Sequence, residues 1–214
     1  MLVWAYECLN VYSGDLFKEL TTLLSTTARK VCEGQQHDMD FPTQSLVSQE
    51  EYIEMIRYKT AELLGCSLQM GALCGGVSKA ASQPFYDFGI DLGLAFQLQD
   101  DYLDAFGDPR TFGKQVGGDI IENKKTFLYL KALEVCNKQD RDKLLSFYNT
   151  KNQSKTKIQD VTALFNRNNI KEITITEIEN YTNTAFETLD ELAISDKKKE
   201  LLKNFGLGLM KRTI

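Results

Sequence analysis

The sequence predicts an all-α protein, built as a largely antiparallel helical bundle. Apolar residues recur at helical spacing along almost the whole chain, helix-capping patterns separate the segments, and strand-like segments do not occur in pairs. In the first long helix, leucines at 16, 20, 23 and 24 share one face, and we expect this helix to end at Gly34. The segment "IKEITIT" at 170–176 has strand propensity but lacks a partner strand.

The middle of the chain predicts two long helices. After a polar loop around Pro42, Ser48 and Glu51 form a capping-box pattern that opens a helix through residues 52–76. Small residues in that helix predict close packing against another helix, namely Gly65, Gly71, Ala72, Gly75 and Gly76. Pro84 is expected to open the next helix, which the Gly107–Pro109 sequence closes after residue 106.

Further helices follow to the end of the sequence. We expect one helix from Asp119 through residues 120–136 and shorter ones at 140–150 and 154–168. Thr176 and Glu179 repeat the capping-box spacing before an apolar stripe, and a last helix reaches the C-terminus. Residues 1–214 are therefore predicted to form a single helical domain.

Composition excludes several classes of function. The 25 basic and 30 acidic residues of the 214 give a net charge of −5 without a basic arm, so neither nucleic acid nor an anionic membrane is an expected partner. No stretch approaches the ~20 apolar residues that cross a bilayer. The five cysteines are odd in number and form no CxxC pair, which argues against disulfides and structural zinc and favours a cytoplasmic location.

An acidic patch is the most informative feature of the sequence. Four polar residues lie near the end of the helix that precedes Gly107. They fall within an arc of about 100° on one helix face and are Gln97, Asp100, Asp101 and Asp104. The carboxylates repel one another, and the macrodipole at a helix C-terminus also disfavours anions. A compensating cation is therefore expected.

Hard carboxylate oxygens at i and i+4 suit Mg²⁺, which completes its coordination with water and substrate phosphate oxygens. Lys114 and Lys124, just downstream, are then candidate diphosphate contacts. The alternative is an acidic, solvated helix end with ion pairs that contribute little to stability.

Several motifs occur together with this patch: "FQLQDDYLD" at 96–104, "GK" at 113–114, "GGDIIENKK" at 117–125 and "YKT" at 58–60. Together they resemble the second aspartate-rich region of the trans-isoprenyl diphosphate synthases, the polyprenyl synthetase family that includes farnesyl and geranylgeranyl diphosphate synthases. "CEGQQHDMDF" at 32–41 is similar to the Gly-Gln segment of the family, and the resemblance covers most of residues 1–135.

The resemblance implies an isoprenoid synthase-type bundle, a homodimer, and Mg²⁺-dependent condensation of isopentenyl diphosphate with an allylic prenyl diphosphate. It implies that Asp100 and Asp104 ligate Mg²⁺ with support from Asp101. Lys59, Lys114 and Lys124 would hold the allylic diphosphate. Thr60 and Gln97 would flank the allylic cation or its leaving oxygen, and Phe96 would face the isoprenoid chain.

The sequence also departs from the family pattern. The sequence lacks a first aspartate-rich motif and the arginines and histidine that the family uses to bind isopentenyl diphosphate. Residues 1–10 have the pattern expected for the middle of a helix. We therefore expect an N-terminally truncated chain that is inactive alone. Asp87 and Asp91 point away from Asp100, whereas Asp38 and Asp40 are expected to be structural residues of a loop, with His37 a surface residue beside them.

Two other functions are consistent with parts of the pattern. A catalytically silent helical subunit or scaffold would explain the incomplete motif set. A terpene cyclase shares the fold and the metal chemistry, but it is disfavoured because its second metal motif has Ser or Thr at the position of Asp104 and Glu at that of Asp108.

Overall fold

The computed structural model describes residues 2–108, 116–149 and 155–211, and regular structure within these ranges is helical throughout. This confirms the all-α prediction. A π-helical turn, Arg57–Ala61, joins α3 to α4, and short 3₁₀ turns span Cys8–Val11 and Phe41–Thr43. The α-helices are α1 Leu2–Glu7, α2 Gly14–Asp40, α3 Gln49–Ile56, α4 Glu62–Cys74, α5 Lys79–Phe106, α6 Gly118–Ile121, α7 Phe127–Val135, α8 Lys138–Tyr148, α9 Lys155–Arg167, α10 Ile170–Glu191 and α11 Asp196–Met210.

Helix α5 forms the centre of the bundle and packs along its length against α4 and α10. Phe88, Leu92, Leu98 and Tyr102 are almost completely buried on α5, and Leu189 of α10 belongs to the same apolar cluster as Phe88 and Leu92. At 1.5 Å per residue the 28 residues of α5 span about 42 Å. None of the helices in the described part of the chain combines the length and apolar character needed to span a bilayer.

Glycines allow α4 and α5 to approach closely. A Cβ atom on Gly89 would lie 2.6 Å from the Cα atom of Gly65, and one on Gly93 would lie 2.6 Å from the Cα atom of Ala61. The close packing predicted for Gly65 is thus confirmed, whereas Gly71 faces open space and does not take part. This contact brings the π-helical turn against the part of α5 that carries the acidic patch.

The prediction that the first long helix ends at Gly34 was wrong, since α2 continues to Asp40. Glycine is needed at 34 because a Cβ there would lie 2.4 Å from the backbone nitrogen of Lys59. Asp38, Asp40 and the exposed His37 consequently lie on a helix, and not in the loop that we expected.

Two helices begin earlier in the structure than the sequence predicted. Helix α5 begins at Lys79, five residues before Pro84, and the Ser78 hydroxyl caps it by accepting from the Ala81 amide at 3.4 Å. Helix α10 is continuous from Ile170, so residues 170–176 are helical and Thr176 is not a cap. Its hydroxyl donates to the carbonyl of Glu172 at 3.0 Å.

Other boundaries agree better with the sequence. The capping box of α3 is confirmed, with the Ser48 hydroxyl accepting from the Glu51 amide at 3.1 Å and the Glu51 carboxylate accepting from the Ser48 amide at 2.7 Å. The helix predicted over 120–136 is instead divided into α6 and α7, because the chain turns at Asn123, which has a φ of +58°.

Candidate functional site

A cavity of about 460 Å³ opens beside the C-terminal half of α5. It is bounded by the end of α2, by α3, by the π-helical turn, and by α6 with the loop that follows it. The lining residues are Asp38, Phe41, Pro42, Tyr52, Met55, Ile56, Lys59, Gln97, Asp100, Asp101, Asp104, Gly118, Asp119, Glu122, Lys124, Lys125 and Thr126.

The three carboxylates of α5 border this cavity in different environments. Asp101 is only 5% exposed and accepts hydrogen bonds from the Tyr52 hydroxyl and from the Gln97 side-chain amide, the latter at 3.2 Å. Asp100 and Asp104 are partly exposed. The helical spacing of the sequence therefore produces one acidic wall, in which Asp101 lies deepest.

Burial makes negative charge costly on this wall. It raises the pKa of Asp101 to about 7, against the lowering effect of the Tyr52 hydrogen bond. Burial, followed by the nearby charge of Asp119, raises the pKa of Asp104 to about 6. Carboxylates that resist ionisation in this way are stabilised by a cation placed among them.

Asp104 also fixes the segment that follows the undescribed residues 109–115. Its backbone carbonyl accepts from the Gly117 amide at 2.6 Å, and its side chain accepts from the Asp119 amide at 3.0 Å. Gly117 has a φ of +85°, a left-handed conformation that glycine adopts without steric cost, and α6 starts directly after it. These contacts place Asp119 beside the acidic wall.

Two of the lysines that line the cavity pair with acidic residues. The Lys59 ammonium lies 2.5 Å from a carboxylate oxygen of Asp38, and the Lys124 ammonium lies 2.8 Å from Asp119 and 3.4 Å from Glu122. Burial alone would lower the pKa of Lys124, but the hydrogen bond and charge of Asp119 raise it above its usual value. The Lys124 ammonium therefore borders the cavity as a cation at neutral pH.

The structure brings six of the nine predicted site residues to this cavity: Lys59, Gln97, Asp100, Asp101, Asp104 and Lys124. Thr60 lies behind the lining, where its hydroxyl donates to the Gln97 side-chain oxygen at 2.9 Å. Phe96 is not among the lining residues. Lys114 falls outside the described residues. The roles assigned to these residues remain predictions.

Sequence reasoning missed Asp38, Asp119, Tyr52 and Lys125 as lining residues. Asp38 was expected in a loop, although the Gly-Gln segment that precedes it was a signal that could have pointed to it. Asp119 lies within the "GGDIIENKK" motif and was interpreted only as a helix start. Lys125 ends the same motif, directly after Lys124, and was overlooked there. Tyr52 carries no local signal, because long-range packing alone brings it to the site.

The donors of the acidic wall are suitable for Mg²⁺. Asp100 and Asp104 offer hard oxygens four residues apart on one helix face. In the described ranges, no three His, Cys, Asp or Glu side chains converge closely enough to enclose an ion by themselves. Mg²⁺ commonly takes one or two carboxylates and fills its remaining positions with water and substrate phosphate, so the donor set fits a metal shared with a diphosphate.

Comparison with known proteins gives a consistent result. A family profile described as polyprenyl synthetase matches residues 1–165. The chain is 35% identical over 199 residues to a short chain isoprenyl diphosphate synthase of Methanothermobacter thermautotrophicus, covering 92% of this chain and 60% of that protein. It is 30% identical over 194 residues to a geranylgeranyl diphosphate synthase of Saccharolobus solfataricus, covering 91% and 58%.

Solved structures share the fold. A geranylgeranyl pyrophosphate synthase superimposes with a TM-score of 0.92 at 45% identity, covering 99% of this chain and 66% of that one. A geranylgeranyl pyrophosphate synthase of Corynebacterium glutamicum, complexed with isoprenyl diphosphate and magnesium, gives a TM-score of 0.88 at 27% identity, covering 99% and 60%. The chain thus spans about three fifths of the length of these relatives.

Proposed function

Because the chain belongs to the polyprenyl synthetase family, we propose that it contributes one side of the active site of a Mg²⁺-dependent trans-prenyltransferase. The reaction joins isopentenyl diphosphate to an allylic prenyl diphosphate and lengthens the prenyl chain by five carbons. The observation that carries the proposal is one cavity that is lined both by three clustered carboxylates of α5 and by Lys59 and Lys124.

The residues suit the charge that this reaction separates. Departure of diphosphate from an allylic carbon leaves a carbocation and a highly charged anion. Lys59 and Lys124, with Lys114 as a further expected contact, would stabilise the leaving anion. Asp100 and Asp104 would hold Mg²⁺, which when bound neutralises diphosphate charge as it develops. Phe96 would face the isoprenoid chain.

Gln97 is held so that its dipole has a fixed direction. Its side-chain oxygen accepts from Thr60, and its amide donates to Asp101, which is itself held by Tyr52. A dipole fixed before the reaction lowers the cost of reorganising the site as charge develops. Gln97 would then act on the allylic cation or its leaving oxygen, with Thr60 orienting it.

A homodimer is part of the proposal, since the family resemblance implies one. Large apolar side chains near the start of the chain are exposed, including Val3 at 75%, Trp4 at 71% and Val11 at 82%. Burying such side chains between two copies would be favourable. Light scattering at several protein concentrations tests this point, and a purely monomeric mass would contradict it.

A cytoplasmic location is likewise proposed from the cysteine content.

A catalytically silent subunit is the second candidate function. It is considered because the chain matches only part of the length of its relatives. The chain covers only 58–66% of the relatives compared above. Such a subunit would retain the fold and the family resemblance without needing a functional metal site. It would therefore show no Mg²⁺-dependent affinity for diphosphate, which separates the two candidates.

The decisive experiment is calorimetric titration with inorganic diphosphate, with and without Mg²⁺. We expect weak, Mg²⁺-dependent binding by the unchanged chain and loss of at least about tenfold in affinity for the double variant Asp100→Ala, Asp104→Ala. Asp104→Ala also removes the hydrogen bond from the Asp119 amide, so about 1 kcal/mol of stability should be lost and must be measured in parallel.

The matched control is the double variant Asp87→Ala, Asp91→Ala. It removes two carboxylates with the same i, i+4 spacing from the same helix, but neither residue lines the cavity. Its diphosphate affinity should equal that of the unchanged chain. Equal Mg²⁺ dependence in both double variants would refute the metal assignment.

A further inference from the structure

Helix α9 packs behind the segment 117–123, which carries the cavity residue Asp119 and leads directly into Lys124 and Lys125. At the start of this segment, a Cβ on Gly117 would lie 2.6–2.9 Å from side-chain carbons of Ile158. Near its end, the Lys157 ammonium donates to the side-chain oxygen of Asn123. Two consecutive residues of α9 therefore contact both ends of the segment 117–123.

Lys157 is buried to an unusual degree for a lysine. Its exposure is 1%, and its ammonium lies 5.2 Å from the ring centroid of Tyr148, which stacks on Tyr129 at 4.1 Å. Lysine is rarely buried to this extent without specific polar or aromatic contacts, because desolvation of an ammonium is costly. The aromatic face and the Asn123 oxygen compensate part of this cost.

Asn123 is the residue at which the chain turns towards the cavity. Its φ of +58° is a left-handed conformation that asparagine tolerates better than most residues. In the next residue, the Lys124 amide donates to the Asp119 carbonyl at 2.9 Å, and the Lys124 ammonium pairs with the Asp119 carboxylate at 2.8 Å. The direction of the Lys124 side chain thus depends on the conformation of Asn123.

We propose that Lys157 is a positioning residue for the candidate diphosphate site. By its hydrogen bond to Asn123 it holds the turn in the left-handed conformation and directs the Lys124 ammonium into the cavity. The contact of Lys124 with a diphosphate rests on the proposed function, whereas the anchoring of the loop by Lys157 does not. Lys157 itself does not line the cavity.

Amide hydrogen exchange of Lys157→Met tests the anchoring directly. Methionine keeps the apolar length of the side chain, so the rest of the fold should be retained, while the bond to Asn123 is lost. We expect about tenfold faster exchange at the Lys124 amide and its neighbours in 116–126, without a matching change along α5. Unchanged exchange in this segment, or equally faster exchange throughout the chain, would overturn the proposal.

Titration with inorganic diphosphate and Mg²⁺ tests the connection to Lys124. Lys157→Met should lower the affinity about tenfold in the unchanged chain and have no further effect in Lys124→Met, because its effect passes through Lys124. An equal loss in both backgrounds would contradict the positioning role. If the unchanged chain does not bind diphosphate, the proposed function fails, and hydrogen exchange still decides whether Lys157 anchors the loop.

Two further variants complete the design. Lys203→Met removes another lysine that lies over an aromatic ring, 5.7 Å from the centroid of Phe186, and should change neither measurement. Asn123→Gly deletes the acceptor while permitting the left-handed conformation, and it serves as the test if Lys157→Met does not fold. In the Asn123→Gly background, Lys157→Met should not accelerate exchange further.

Discussion

Neighbouring carboxylates of the acidic wall differ because different parts of the chain contact them. Asp101 is held from α3 by Tyr52, and Asp104 is held by the amide of Asp119 at the start of α6. A carboxylate that already accepts such hydrogen bonds has fewer oxygen lone pairs for a metal. Asp101, which is buried and held by Tyr52 and Gln97, is therefore suited to supporting the wall, whereas the partly exposed Asp100 and Asp104 are the better candidates for ligation.

Asp91, a partly exposed carboxylate on the same helix, lies outside the cavity and also has a raised pKa. Burial, followed by the charge of Asp87, raises its pKa from 3.8 to about 6, and Arg57 offsets only part of this shift. The native state therefore binds the proton more tightly than the unfolded state does. Stability should fall as the pH rises from about 4 to about 6 and remain reduced above that range.

We therefore expect Asp91→Asn to stabilise the protein at pH 7.5 but not at pH 4. Asp91 is partly exposed, so solvent screening reduces the gain to about 1 kcal/mol. Urea denaturation at the two pH values measures it. Glu187→Gln, at an exposed position on α10, is the control and should change stability by less than about 0.5 kcal/mol. An equal gain from Asp91→Asn at both pH values would show that the charge is not the cause.

At the scale of elements, the contact of α4 with α5 determines where the site forms. Gly65 and Gly89 face each other, Ala61 meets Gly93 one turn further along, and the π-helical turn lies at the end of this contact. A π-helical turn contains an extra residue and changes the direction of the side chains that follow it. Here the turn brings Lys59 to the cavity and Thr60 to Gln97.

Gly89→Ala tests the importance of this close contact. The added Cβ would lie 2.6 Å from the Gly65 backbone, which cannot rotate away, so we expect a loss of about 2 kcal/mol or more in the free energy of unfolding. Gly71→Ala on α4 is the matched control, because nothing lies within 4 Å of its added Cβ. The control should be neutral or stabilising by up to about 1 kcal/mol. Chemical denaturation compares the two, and similar values would refute the packing argument.

Local sequence rules predicted most of the helices but failed where tertiary packing determines the outcome. Gly34 signals a helix end in isolation, yet α2 continues through it because the backbone at Lys59 requires a residue without a side chain. Thr174 and Thr176 suggest a strand or a cap, but their hydroxyls bond to carbonyls four residues earlier and the helix continues. Neither result can be derived from neighbours in the sequence.

For the candidate site, too, local sequence rules predicted some features and tertiary packing determined others. The patch of Asp100, Asp101 and Asp104 was predictable, because helical periodicity alone places these residues on one face. The residues that surround this patch were not predictable, since Asp38 and Tyr52 reach the cavity from helices distant in sequence. Lys124 was identified from a motif, whereas its pairing with Asp119 depends on the turn at Asn123.

At the scale of the whole molecule, the described residues supply carboxylates and lysines that already pair with one another around the cavity. Lys59 pairs with Asp38, and Lys124 pairs with Asp119. A diphosphate would have to compete with these carboxylates for the ammonium groups, so its affinity depends on further positive charge. Mg²⁺ held at Asp100 would supply part of that charge. Lys125, which also lines the cavity, would supply more, and any remainder would have to come from groups outside the described cavity.

The last prediction concerns catalysis by the 214-residue chain alone. Asp100 and Asp104 are the candidate metal ligands of the described cavity, and its lysines Lys59 and Lys124 already pair with carboxylates, so we expect no chain elongation at an enzymatic rate by this chain alone. Each group that does not stabilise the developing charge costs about 10²-fold or more, so two or three such groups together lower the rate by about 10⁴-fold or more. The measurement is incubation of the purified chain with Mg²⁺, labelled isopentenyl diphosphate, and dimethylallyl, geranyl or farnesyl diphosphate. The Methanothermobacter relative, named as a short chain isoprenyl diphosphate synthase, serves as the positive control. Longer prenyl diphosphates formed by this chain at a comparable rate would contradict the prediction, and would mean that the residues around the cavity suffice for catalysis.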